Sequence, residues 1–236
     1  MANQYFKNFP ELQYTLSNGK VVTIKDFFRK SSIEQDAVNS VIEYTFYEIQ
    51  DGERPDVVAT KLYGDGNLHW TFFLVNQFEN YYEWYKDQET YNNYMNEKYS
   101  GQWLNASVTT DIVSSASKFL LGEQVSNGTT TGNVVKVDPT FKRIAVVGGT
   151  WLANQTITGI VSGKSFTLQS VVNEIDGTSY YEDVDGIKKN YSDTGFSSVS
   201  FSTQEYDDNE EKRKIKVIRP EYIRQVVSEF EKIMMA

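Results

Sequence analysis

The sequence predicts an α+β fold, and three observations carry that prediction. Near the start, two short apolar and β-branched runs flank Asn18-Gly19, a pair that marks a tight hairpin. The middle of the chain is rich in Ser, Thr, Gly and Val and poor in charge, as a set of short strands would be. At the end, Ile223, Val226, Val227, Phe230, Ile233 and Met234 recur at i, i+3, i+4, i+7, i+10 and i+11, the stripe of an amphipathic helix. At roughly 150 residues per domain, a chain of 236 residues has room for one domain and an addition to it.

Taken in order, Gln13–Leu16 and Val21–Ile24 read as strands joined by Ser17-Asn18-Gly19-Lys20, with Asn-Gly supplying the positive φ angles of a type I′ turn. Val41 to Ile49 is β-branched and aromatic and reads as a strand. Pro55 suits a first helical turn and Gly64 a left-handed stop, so a short helix lies between them with Val58, Ala59 and Leu62 inward. After the turn Asp65-Gly66-Asn67, a second helix spans roughly Leu68 to Asn76. A tract of Tyr, Trp and Asn follows, in which Tyr91, Tyr94, Met95 and Lys98 share one helical stripe behind Asp87 as cap.

The middle holds an internal repeat at an offset of 32, which sets Phe119-Leu120 against Trp151-Leu152, Val125 against Ile157 and Val134 against Phe166. Each copy carries a turn rich in Gly, Ser or Thr, so a small β-barrel or sandwich is expected there. Tyr180 to Lys189 reads as an Asp185-Gly186 hairpin, and the five acids of Glu205–Glu211 as a solvated loop. Lys212 to Ile218 alternates Lys with apolar residues, as a half-buried strand does, and Pro220 opens the last helix. Strand 41–49 is expected to pair with the returning strand 214–218, closing a βααβ core across the intervening chain. The final helix would pack on that core or dock on a neighbouring subunit. The division is therefore 1–104 with 176–236 as one domain and 105–175 as an inserted small all-β domain.

Composition narrows function mainly by exclusion. No Cys means no disulfide framework, thiol nucleophile or Cys-ligated zinc. The single His69 sits among apolar neighbours and reads as structural, since a general base needs a nucleophile and an orienting acid beside it. A formal charge of −9 argues against sequence-independent phosphate binding. The longest apolar run, Trp70 to Val75, is far short of the roughly 20 residues that span a bilayer. The start has no basic segment ahead of an apolar one, so no signal peptide is read there and a cytoplasmic product is expected. Glu182, Asp183 and Asp185 could offer oxygens to Ca²⁺, but Thr194 stands where an EF-hand loop closes with Glu, so a plain turn is preferred. No catalytic residue, metal or cofactor is expected.

What remains is recognition by surface. Lys212, Lys214 and Lys216 would share a strand face and could meet an acidic partner, beside the plainer reading of a solvated strand. Tyr81, Tyr82, Trp84, Tyr85, Tyr91, Tyr94, Tyr99 and Trp103 crowd one tract, and Tyr and Trp are enriched at interface hot spots. The 16 Tyr, 14 Phe and 4 Trp are too many for a chain of this size to bury completely. Candidate interface residues are Tyr81, Tyr82, Trp84, Tyr85, Tyr91 and Tyr94, with Ile223, Val227 and Phe230 on the final helix.

Two resemblances arise from these residues. Tyr44 to Gly64, followed by Trp70 and Asn76, resembles a LysM module: a strand, Gly-Glu, a helix ending in Tyr-Gly, and a second helix ending in Asn. More completely, the chain is similar to the baseplate wedge protein fifty-three family of T4-like contractile-tailed phages. The likeness rests on Tyr5-Phe6 with Phe9-Pro10, Val58 to Asp65, Trp70 with Leu74-Val75-Asn76, Tyr81 to Trp84, Gln88-Glu89, and Lys214 to Arg219 before an amphipathic helix. It covers 1–104 and 176–236, and the central segment looks like an insertion. The resemblance implies a structural, non-enzymatic subunit that joins neighbouring wedges around the central hub of a six-fold baseplate. Its partners would be other wedge subunits and a sheath-initiator protein, with no nucleic acid and no membrane. It would reside in the virion tail after assembly in the host cytoplasm. The alternative is a LysM-type peptidoglycan-binding module of a tail-associated protein.

Overall fold

A computed structural model describes residues 9–26, 44–106 and 119–235. The chain divides into two compact units, 1–88 with 209–236 and 89–208. The segment 105–175 lies wholly inside the second unit, which also holds 89–104 and 176–208.

The first unit begins with strands β1 (Glu11–Thr15) and β2 (Val21–Lys25), paired antiparallel with Leu12 opposite Ile24 and Tyr14 opposite Val22. Their turn departs from the expected type I′. Gly19 has φ 78° but Asn18 is not left-handed, and Gly19 N–H donates to Leu16 C=O at 2.9 Å. Ser17 and Asn18 thus form the centre of an ordinary turn, and glycine supplies the single positive φ that lets the strands meet. The expected strand appears as β3 (Tyr44–Glu48), while its first three residues, 41–43, lie outside the described residues, as do Tyr5 and Phe6.

Helix α1 (Pro55–Tyr63) has Pro at N1 and ends on Gly64 at φ 75°, as the two residues predict. Val58 and Ala59 are buried on its inner face, with Leu62 partly buried. A 3₁₀ turn, Gly66–His69, is capped by the Asp65 side chain and runs into α2 (Trp70–Asn76). The span expected as one helix is thus split, because Asp65 accepting from Asn67 N–H tightens the first turn. The returning strand (Lys214–Ile218) pairs antiparallel with β3, Ile215 opposite Tyr47 and Val217 opposite Thr45. Two apolar clusters draw on this ribbon, one along a whole face and the other at the Tyr44/Ile218 end of the opposite face. One joins Ile49, Val58, Phe72, Trp84, Ile215 and Val217; the other joins Tyr44, Trp70, Ile218, Ile223, Val227 and Phe230. The final helix spans Ile223–Met235, three residues later than Pro220, because Pro220 and Glu221 form the middle of a turn in which Tyr222 N–H donates to Arg219 C=O at 2.9 Å. The side chains of Ile233 and Met234 lie outside the described set.

The second unit is built on a closed six-stranded barrel. It uses β4 (Gln102–Ala106), β5 (Gln124–Ser126), β6 (Thr131–Asp138), β7 (Arg143–Val147), β8 (Thr156–Gly159) and β9 (Ser165–Asn173) in the order β4-β7-β6-β5-β8-β9. Its interior is filled by Leu104, Val125, Val134, Ile144, Val146, Ile157, Phe166 and Leu168, with Phe119 and Trp151 as plugs. β4 straddles position 104/105, because closure needs the strand that carries Trp103 and Leu104.

The internal repeat is visible as an approximate two-fold relation of β5 to β8, β6 to β9 and β7 to β4. Gly122 and Asn154 hold the same left-handed turn, at φ 82° and 67°. Glu123 Oε1 accepts from Leu120 N–H, and Gln155 Oε1 accepts from Leu152 N–H. Beyond the hairpins the offset grows to 34. Val134 exchanges backbone bonds with Gly122 and Glu123, and Leu168 does so with Asn154 and Gln155, so Val134 matches Leu168 rather than Phe166. The physical reason is a longer second turn: Ser126 pairs with Thr131, but Thr158 pairs with Ser165.

Around the barrel stand β10 (Thr178–Glu182), β11 (Lys188–Lys189), β12 (Ser197–Ser200) and two helices, which we label α3 (Gln88–Lys98) and α4 (Phe201–Glu211). With these, strand 214–218 is β13 and helix 223–235 is α5. Arg143 holds barrel and sheet together: its guanidinium is wedged 4.1 Å from the Trp103 ring and 4.5 Å from Phe141, pairs with Asp138 and donates to Thr178 C=O at 2.7 Å. The acidic block expected as a loop is the C-terminal part of α4. Glu205 is drawn inward by Tyr94, Tyr99 and Lys98, while Asn209, buried, is bonded to Lys86 on both N–H and C=O.

Candidate functional site

The candidate interface residues divide by what the local backbone does with them. Asn80 and Glu83 form a reciprocal capping box around the 3₁₀ turn Tyr81–Glu83, which fixes the direction in which each ring leaves the chain. Tyr81 and Tyr82 point outward, 56% and 80% exposed. Trp84 and Tyr85 turn inward. The Trp84 ring stacks 6.2 Å from Phe73 and its indole N–H donates to Glu53 C=O at 2.8 Å, while Tyr85 meets the Arg213 guanidinium. These two rings are core in the folded chain, packed in the cluster that holds Ile49, Val58 and Phe72.

Tyr91 and Tyr94, half-buried, lie along the α3 stripe that the spacing predicts, and that stripe faces α4. Tyr94, Lys98 and Tyr99 all donate to the Glu205 carboxylate, at 3.0, 2.6 and 2.6 Å. Burial pushes the Glu205 carboxyl upward, but these hydrogen bonds and the Lys98 charge outweigh it and hold it below the usual carboxylate range. Burial, and then the bond to Glu205, pushes the Tyr99 hydroxyl well above its ordinary value. Ile223, Val227 and Phe230 are buried against the first unit's own core, with Phe230 4.4 Å from Trp70.

His69 is exposed, with Nδ1 2.9 Å from Gly66 C=O and its ring edge-on to Phe73. Asp183 Oδ1 accepts from the N–H groups of Asp185 and Ile187, so this carboxylate builds its own turn. Among the described residues, no group of three or more His, Asp or Glu is placed to hold a metal ion.

One surface was not foreseen. At one end of the barrel Leu120 and Leu121 are 47% and 71% exposed, and Ile160 and Val161 are 59% and 71% exposed. The buried Glu123 carboxylate ties the two loops that carry them, accepting from Leu120 N–H through one oxygen and from Ser162 N–H at 3.0 Å through the other. The related end has Ala153, Gly128 and Thr129 at the equivalent places, with Leu152 as the large aliphatic of those four positions. A signal for the patch was present in the sequence: Leu120-Leu121-Gly122 and Gly159-Ile160-Val161-Ser162-Gly163 put bulky aliphatics where turns ordinarily carry polar residues. Taken together, the described surfaces offer apolar area and cations over aromatic rings, and no assembled catalytic constellation. Compared with families of known proteins, residues 5–120 match the one described as base plate wedge protein 53. No curated protein matches the chain.

Proposed function

The chain belongs, over residues 5–120, to the base plate wedge protein 53 family of the phage tail baseplate, and from that premise we propose that it joins neighbouring wedges around the central hub. The observation that carries this reading is the family match itself. It is supported by exposed apolar side chains held on fixed turns, Tyr81 and Tyr82 on one and the Leu120/Val161 patch on two loops tied by Glu123. Burying such side chains against a partner releases about 25 cal/mol for each Å² of apolar surface, and a shaped, preorganised turn loses little entropy in doing so. Other wedge subunits and a sheath-initiator-like protein are the partners. The strand–helix–helix–strand arrangement of the first unit serves as a LysM-like core whose surface is used for protein contacts, with the barrel, from β4 to β9, inserted as a small β domain.

Co-purification with the wedge proteins of the same phage tests the reading. We expect the chain in a stoichiometric complex that Tyr81→Ala with Tyr82→Ala weakens. Tails that assemble normally without the chain, or retention of the chain on purified peptidoglycan in place of the wedge complex, would overturn it.

A further inference from the structure

The β3–β13 ribbon has two outer edges, and the chain treats them differently. Ile49 N–H donates to Arg213 C=O at 2.8 Å, so in this register the bonded pairs are Tyr47 with Ile215 and Thr45 with Val217. The peptide groups of the alternate residues point away from the partner strand. On β13 those groups are taken up. Asn76 Oδ1 accepts from Lys216 N–H and Asn76 Nδ2 donates to Lys216 C=O, both at 2.8 Å. The Tyr63 hydroxyl donates to Ile218 C=O at 2.9 Å. A side-chain amide thus stands where another strand would.

On β3 only the ends are closed. Arg219 Nε reaches Tyr44 C=O at 3.3 Å, and Gln50 Nε2 reaches Glu48 C=O at 3.0 Å. Between them the Phe46 N–H and C=O make no hydrogen bond among the described residues, and the Phe46 ring is 59% exposed. Edge strands are ordinarily blunted at such a place by proline, a bulge or a charge. Phe46 does the reverse, offering a bare peptide and a ring. Lys214, two positions along the exposed face on the neighbouring strand, extends over that ring with Nζ 4.7 Å from its centroid, which carries a positive charge to the open edge.

We propose that β3 receives an extended segment of another baseplate subunit as a third strand, hydrogen-bonded to Phe46, with an acidic residue of that segment meeting Lys214. This rests on the reading that the protein is assembled into the baseplate, and it names the geometry of one contact there. An added strand supplies the donor and acceptor that Phe46 lacks, and its side chains alternate toward the Phe46 ring and away from it.

Two measurements test this. Baseplates purified from wild-type phage are imaged at a resolution that traces the backbone. An extended segment of a different protein bonded to Phe46 N–H and C=O is the expected result. Solvent, a helix, or a second copy of β3 at that edge overturns the proposal while leaving the structural role intact; absence of the chain from baseplates overturns both. The second measurement uses Phe46→Pro, which removes an N–H that bonds nothing among the described residues and sits where an edge strand tolerates proline. The variant is expected to melt as the wild type does yet enter baseplates at least tenfold less, with Phe46→Ala, which keeps the N–H, less affected. Equal incorporation of a folded Phe46→Pro chain would overturn the strand addition.

Discussion

The two halves of the barrel answer the same folding problem with different side chains. Phe119, Val125 and Val134 in one, and Trp151, Ile157 and Leu168 in the other, are all buried. Leu120 and Leu152 each donate a backbone N–H to the side chain three residues on, and both are exposed. Where the halves diverge is instructive. Leu121 has Ala153 as its counterpart, and Ile160-Val161 has Gly128-Thr129. Buried and hydrogen-bonded positions are set by the barrel, so they repeat; exposed loop positions are free of that demand, so they differ. Large aliphatics gathered at one end only, on loops that the same barrel positions carry at both ends, are therefore not explained by the packing of the barrel interior.

That contrast can be broken at its core first. Ile157→Ala should cost about 2–5 kcal/mol by chemical denaturation, and Val125→Ala clearly less, since both sites are fully buried but the second loses fewer methyl groups. Equal costs would mean that the halves do not share the load as their packing implies. Next in size is the carboxylate between the two loops. Glu123→Ala leaves the Leu120 and Ser162 N–H groups without their acceptor and should cost about 1–3 kcal/mol. Gln155→Ala, at a half-exposed site, should cost about 1 kcal/mol or less. Smaller still is Leu121→Ser with Val161→Ser, expected to shift stability by less than about 0.5 kcal/mol while lowering incorporation into baseplates; Ala153→Ser with Thr129→Ser should change neither. If both pairs left assembly untouched, the apolar end would have no part in docking.

A last, smaller effect lies outside the two halves and shows what the barrel does not control. The folded-state Glu205 carboxyl titrates below its ordinary value, so the unfolded chain binds more protons in the acid range. Its contribution is complete above the unfolded carboxylate value and is lost as pH falls through the lower folded value. Thermal melts of Glu205→Gln should therefore lack part of the acid-side decline of the wild type and match it poorly at neutral pH, where the Lys98 pair is gone.

Elements punctuated by residues with special backbone needs were legible from the chain alone. Pro55 and Gly64 bracket α1, the acid-free alternation of Lys214 to Ile218 marks β13, and the pairing of that strand with β3 follows from burying both. Features set by distant partners were not legible. Glu205 in the acidic block finds two donors on α3, Tyr94 and Lys98, and a third, Tyr99, just past its end, and local composition carries no trace of them. Trp84 and Tyr85 stand beside Tyr81 and Tyr82 in the same aromatic tract, and their partners Glu53, Phe73 and Arg213, distant in sequence, mark the pair that is buried. The offset of 32 was readable up to the hairpin, and a turn of different length hid the rest.

Asn76 has a further consequence. A ribbon with two bare edges is a polymerisation unit: each copy can offer one edge to the next copy's other edge, and such head-to-tail addition closes only if the geometry happens to form a ring. By plugging the β13 side with its amide, Asn76 leaves the ribbon a single outlet. A part with one outlet terminates a chain of contacts, and a particle built to a fixed number of parts needs terminators as much as it needs adhesive.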